Sequence, residues 1–153
     1  MLVKYHILLG ILFSFSLVYF FNISPSAAVV IFLSSVLIDI DHYILYICKT
    51  RDFSLKNAYN YSVKSKKIWL GLSPKKREKY KTSFMFLHGI EFLALLVALS
   101  FLSKFFFYIF LGVFFHLLAD WLELLYLNLP LYLKFSQMYV FIRNKNKKPF
   151  AFS

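Results

Sequence analysis

The residues best equipped for chemistry in this chain are two acids and a histidine, Asp39, Asp41 and His42, set in the apolar stretch "SSVLIDIDHYILYIC". Three further histidines, His6, His88 and His116, and three more carboxylates, Glu91, Asp120 and Glu123, lie in similarly apolar surroundings. Five of the seven acidic residues therefore fall inside greasy segments, and only Asp52 and Glu78 sit in a polar one. An acid in the middle of an inserting helix costs about 2.5 to 3.5 kcal/mol. Something must offset that cost, and the same segments hold almost no Lys or Arg. A divalent cation would do so, because neutral imidazole nitrogen and carboxylate oxygen are the donors such ions take.

Spacing shows which groups act together. His88 and Glu91 are three apart, His116 and Asp120 four, Asp120 and Glu123 three, and Asp39 and His42 three, so each pair shares a helical face. Asp41 points away from its neighbours unless the helix unwinds there. Helical bundles presenting carboxylates and His at this spacing hold one or two metals. Zinc, manganese or iron would suit the mixed nitrogen and oxygen set. The candidate ligands are His6, Asp39, Asp41, His42, His88, Glu91, His116 and Asp120. Asp41 or Glu91, if not ligated, is the candidate general base, and Glu123 ranks as an outer partner.

The elements that must position these groups are four apolar spans, at about 5–22, 25–48, 83–103 and 105–129. Each has roughly the ~20 residues a helix needs to cross a hydrocarbon core. Ser24 and Pro25 supply an N-cap and first helical residue for the second span, and Pro130 closes the fourth. Ser73 and Pro74 predict a helix running through "KKREKYK" into the third span. The expected fold is all-α, a single integral membrane domain of about four transmembrane helices. At 60% apolar and 16% charged residues, the composition excludes an ordinary soluble domain. The first span is longer than a signal-peptide core and three more follow it, so it is expected to be retained. Cys48 is the one cysteine, which excludes a disulfide within the chain.

The net charge of +11 is concentrated in a basic loop, 49–82, between the second and third spans and in a basic tail, 130–153. Short basic segments flanking apolar spans mark the cytoplasmic side. The expectation is a multi-pass protein of the cytoplasmic (inner) membrane with both termini in the cytoplasm. Its expected partners are membrane lipids with anionic headgroups, not nucleic acid. Counting ~1.5 Å per residue from the basic end of each span puts His6 ~3 Å deep, Asp41 and His42 ~10 Å, His88 ~8 Å, Glu91 ~12 Å, Asp120 ~14 Å and His116 ~20 Å. All four spans thus deliver polar groups toward the cytoplasmic half.

The motifs "KYHILLG", "DIDH", a His-centred third segment and "FHLLADWLELL" together resemble the YdjM-like family of inner-membrane, metal-dependent hydrolases. That resemblance covers most of the chain and implies His6, Asp39, Asp41, His42, His88, His116 and Asp120 as metal-site residues. The third motif departs from the family's H-R-x-x-T-H-S form: in "SFMFLHGIEF", Ser83 stands where the first His would be, and Glu91 follows His88 by one turn. Either Glu91 replaces a lost ligand or the site holds fewer metals. The expected function is a membrane-bound, metal-dependent hydrolase cutting an ester or phosphoester, of a lipid, at the cytoplasmic leaflet. The alternatives are a metal or proton carrier, and an adaptor with a structural metal site.

Overall fold

The structure, a computed structural model, describes residues 3–150. Their helices are α1 (Val3–Phe21), α2 (Pro25–Leu37), α3 (Ile40–Thr50), α4 (Leu55–Gly71), α5 (Pro74–Arg77), α6 (Ile90–Ser100), α7 (Lys104–Tyr126), α8 (Tyr132–Phe135) and α9 (Gln137–Asn144). Three rods are long and apolar enough to cross a membrane: α1, α2 continued by α3, and α7. Their ends follow local chemistry. Ser24 Oγ accepts the Ala27 N–H (3.3 Å) ahead of Pro25, and Ser103 Oγ accepts that of Phe105 (3.2 Å) at the start of α7. Asn22 and Asn128, at φ 51° and 50°, turn the chain where α1 and α7 stop.

In lipid, apolar side chains gain little by leaving the solvent, so helices associate where small residues let backbones approach. Here Gly112 of α7 faces Ser34, Ser35 and the Ile31 carbonyl of α2, and a Cβ at that position would collide with Ser34 Oγ and Ile31 O. Gly10 of α1 meets Ser35 and Phe32 on another side of α2. The core around Ile38, Leu93, Leu96, Val113 and Leu117 joins α6 and α7 to the α2–α3 rod. Phe15, Phe20, Leu37, Phe101 and Leu102 point outward, as side chains facing hydrocarbon do.

Two sequence expectations change. The segment expected to form a third span from residue 83 is helical only over α6, eleven residues or ~16 Å, and residues 81–85 have no regular secondary structure. Backbone of this kind is tolerated at membrane depth only where protein satisfies it. The Thr82 N–H donates to Asn144 Oδ1 (3.0 Å), that of Met85 to Gln137 Oε1 (2.9 Å) and that of Leu87 to Asp41 Oδ2 (2.7 Å). The partners come from α3 and α9, so the tail folds back along this segment. The second change lies in 49–82, half of which is the helix α4; the one expected to run on from Pro74 stops after one turn, at Arg77. The Arg77 guanidinium donates to the Trp69 (3.0 Å) and Leu70 (2.8 Å) carbonyls, closing the end of α4.

Candidate metal centre

The centre is built on the break between α2 and α3. At Ile38 and Asp39 the helix tightens: the Asp39 N–H donates to Val36 O (3.2 Å) and that of His42 to Asp39 O (3.0 Å), three residues back. The Ser35 carbonyl, which a regular helix would pair with the Asp39 N–H, instead accepts from His116 Nδ1 at 2.7 Å. The helix is thus irregular between Asp39 and Asp41, yet Asp41 still points away from the cluster. Asp39 and His42 face His88 and His116, while Asp41 reaches the segment before α6.

Six of the eight sequence-predicted ligands converge: His6, Asp39, His42, His88, His116 and Asp120. His88 Nε2 and His116 Nε2 lie 3.2 Å apart. Asp39 Oδ1 is 3.5 Å from His88 Nε2, 3.7 Å from His116 Nε2 and 3.6 Å from His42 Nε2. Asp120 Oδ2 is 3.3 Å from His116 Nε2 and 3.9 Å from His88 Nε2. His6 stacks on His116, ring centroids 3.7 Å apart, with its Nε2 3.4 Å from Asp120 Oδ1. For bonds of about 2.0–2.1 Å, tetrahedral ligands stand ~3.3 Å apart. The cluster has the spacing such an ion needs.

Its hydrogen bonding points the same way. His116 Nδ1 carries the proton given to Ser35 O, so its Nε2 presents a lone pair toward His88. A proton on His88 Nε2 would satisfy that lone pair but leave His88 Nδ1 as an acceptor facing Asp41 Oδ2 at 3.4 Å. With the proton on Nδ1, two lone pairs meet at 3.2 Å. A bound cation would take up both lone pairs and remove the conflict. His6 Nε2, His42 Nε2 and both Asp39 carboxylate oxygens are buried and make no hydrogen bond, which is costly for groups of this polarity. Asp39, Asp41 and Asp120 bring three carboxylates into or beside the cluster, with Lys134 Nζ 2.6 Å from Asp120 Oδ2. The donor set thus fits a divalent metal, with Asp41 and Ser35 orienting the rings as outer partners do.

Two predicted ligands stay outside the cluster. Asp41 is taken up by the Leu87 N–H and His88 Nδ1, an orienting position. Glu91 accepts from Ser136 Oγ (2.6 Å) and from the N–H groups of Gln137 and Met138 (both 3.1 Å), so its carboxylate caps α9. Glu123 pairs with Lys66 of α4 at 2.7 Å. Sequence reasoning missed Lys134 and Gln137, both in the tail. The Gln137 side chain bridges Met85 N–H and the His88 carbonyl (3.0 Å), fixing the backbone of a cluster histidine. Burial acts to lower the Lys134 pKa, but Asp120 beside it outweighs this and holds the pKa above the ordinary lysine value.

One wall of the cluster opens on a cavity of about 700 Å³ between α3, α4 and the returning tail. Asp39, His42 and Lys134 line it; Asp41 and Glu91 do not. Its remaining surface is mostly apolar, from Tyr46, Leu70, Trp69, Phe84 and Leu133 among others, with Lys49, Lys66 and Lys81 as further cations. Tyr46 packs on Tyr61, and the Lys66–Glu123 pair ties α4 to α7. No family model, curated protein or solved structure matches the chain.

Proposed function

We propose that this chain is a multi-pass membrane hydrolase, metal-dependent, that cuts an ester or phosphoester of a membrane lipid at the cytoplasmic leaflet. The observation that carries the reading is the meeting of a buried His–Asp donor set with a largely apolar, lysine-bearing cavity through Asp39 and His42. A lipid has both parts this cavity suits, a polar group for the cluster and a hydrocarbon portion for the walls. The basic segments beside the cavity support a cytoplasmic setting for it, with both termini on the same side. The resemblance to YdjM-like hydrolases agrees with this reading, since six of its seven motif residues are the ones gathered here.

Asp39, His88, His116 and Asp120, with His6 beside them, are the residues that would hold the ion. When bound, a divalent cation supplies Lewis acidity and makes water a better nucleophile near neutral pH. The chain's own residues do the rest. Ser35 O and Asp41 set the His116 and His88 rings with their Nε2 atoms inward. His42, the most exposed imidazole of the cluster, faces the cavity and is placed to take a proton from water and return it to the leaving oxygen. This replaces the expectation that Asp41 or Glu91 is the base.

A panel of carboxyl-ester and phosphoester lipids in nanodiscs tests the proposal. The zinc- or manganese-loaded protein should release product, chelation should stop it, and His42→Ala should lower turnover by at least about a hundredfold. The complete burial of His88 and Asp120 also suits a closed, structural site in an adaptor. Bound metal without turnover of any lipid would favour that second reading.

A further inference from the structure

Lys134 stands where the cluster and the cavity meet. Its Nζ gives one hydrogen bond to Asp120 Oδ2 (2.6 Å), and its side chain also lines the cavity. An ammonium has three donors, so two remain for a group lodged in the cavity. Its backbone is held on the returning tail: Trp121 Nε1 of α7 donates to the Lys134 carbonyl (3.1 Å), and Gln137 Nε2 to the neighbouring Leu133 carbonyl (3.4 Å). A flexible stem on a fixed backbone suits an ammonium that must pivot toward a ligand. The cavity is lined by four lysines against two acids, Asp39 and Glu123, and Glu123 already pairs with Lys66. Its lining therefore carries more basic than acidic side chains.

We infer that Lys134 is the substrate-recognition residue that reads an anionic headgroup, so the lipid taken is an anionic one with its phosphate at Lys134 and its acyl portion against the apolar wall. This rests on the reading of the cavity as a lipid site. Lys66 is tied to Glu123 and serves as the comparison lysine. An ammonium–phosphate contact at such a partly dry site changes affinity by roughly ten- to a hundredfold.

The test is equilibrium binding by the full chain in nanodiscs of zwitterionic lipid. The probes are short-chain phosphatidic acid, its phosphatidylcholine analogue and inorganic phosphate; zinc content and turnover are measured alongside. Wild type should prefer the anionic lipid by at least about tenfold, Lys134→Met should remove that preference with zinc content unchanged, and Lys134→Arg and Lys66→Met should keep it. A preference that survives Lys134→Met or disappears in Lys66→Met would overturn the assignment, as would zinc lost with Lys134→Met. Phosphate binding as tightly as the lipid would overturn the lipid part. If Lys134→Met does not assemble, Lys134→Arg decides, because loss of preference with the charge retained also refutes the inference. Selective binding without turnover would leave Lys134 as the reader and remove the hydrolase proposal instead.

Discussion

Replacing Asp39 by Asn probes the centre most directly. The amide keeps the size of the carboxylate but drops its charge, at a point 3.6, 3.5 and 3.7 Å from the Nε2 atoms of His42, His88 and His116. In wild type, zinc at a hundredfold excess over its Kd should add about 2.7 kcal/mol, which raises the Tm of a chain this size by about 5–10 °C. Asp39→Asn should lose most of that shift, because the amide replaces a carboxylate that lies within 3.7 Å of three of the four imidazoles. Without metal the order should reverse. The wild-type carboxylate has no hydrogen bond on either oxygen and shares its surroundings with Asp41 and Asp120. Relieving such a group is worth about 1–3 kcal/mol, so the metal-free variant should melt at or above the metal-free wild type. Tryptophan-emission melts in nanodiscs across a zinc titration, with elemental analysis of each sample, measure both signs. A variant that keeps the wild-type zinc shift, or a wild type that shows none, refutes the reasoning.

Gly112→Val should push α7 from α2, since even a Cβ collides with Ser34 and Ile31; we expect a loss of about 1–3 kcal/mol and weaker zinc retention, read by melts and metal content. Glu91→Gln should leave zinc content unchanged and instead speed amide hydrogen exchange over 136–144, where the carboxylate caps α9; metal loss would restore Glu91 as a ligand. Asp52, hydrogen-bonded by Tyr46, Asn57 and the Ser54 N–H, has a pKa below the usual value, first because of Tyr46. Its contribution to the α3–α4 turn is complete above the unfolded carboxylate pKa of about 3.9 and is lost as pH falls through the lower folded value. Hydrogen exchange at 52–57 should therefore rise only in strong acid, and Asp52→Asn should abolish that pH step.

The cluster was legible in the sequence because burying charge is costly: acids and histidines do not gather in apolar helices without a common partner, and helical spacing says which ones face together. Asp39 and Asp41, two residues apart, point in different directions as helical spacing says, Asp39 into the cluster and Asp41 to the Leu87 N–H. What did not show is what depends on the tail. Lys134 reads in the sequence as one more topology lysine, and nothing local says that α8 returns it to Asp120. Glu91 looked like a ligand because it lies one turn from His88; its actual partners are 45 to 47 residues away. The irregular stretch before α6 is as apolar as a helix would be, and its backbone is held by Asp41, Gln137 and Asn144, partners that hydropathy does not reveal.

Gly112, His116 and Asp120 follow one another at intervals of four along α7, one making the close approach to α2 and the next two entering the cluster one and two turns on. This row works as a ruler, and it sets where the chain tolerates changes of length. One residue added or removed between positions 112 and 120 turns everything beyond it by ~100° about the helix axis, carrying Asp120, or His116 with it, out of the centre. The same change in the Arg51–Ser54 connection before α4, where Arg51 and Phe53 are exposed, leaves the row on α7 in register. Length variation compatible with a working centre is therefore confined to the connections, while the row on α7 admits substitutions but no change of count.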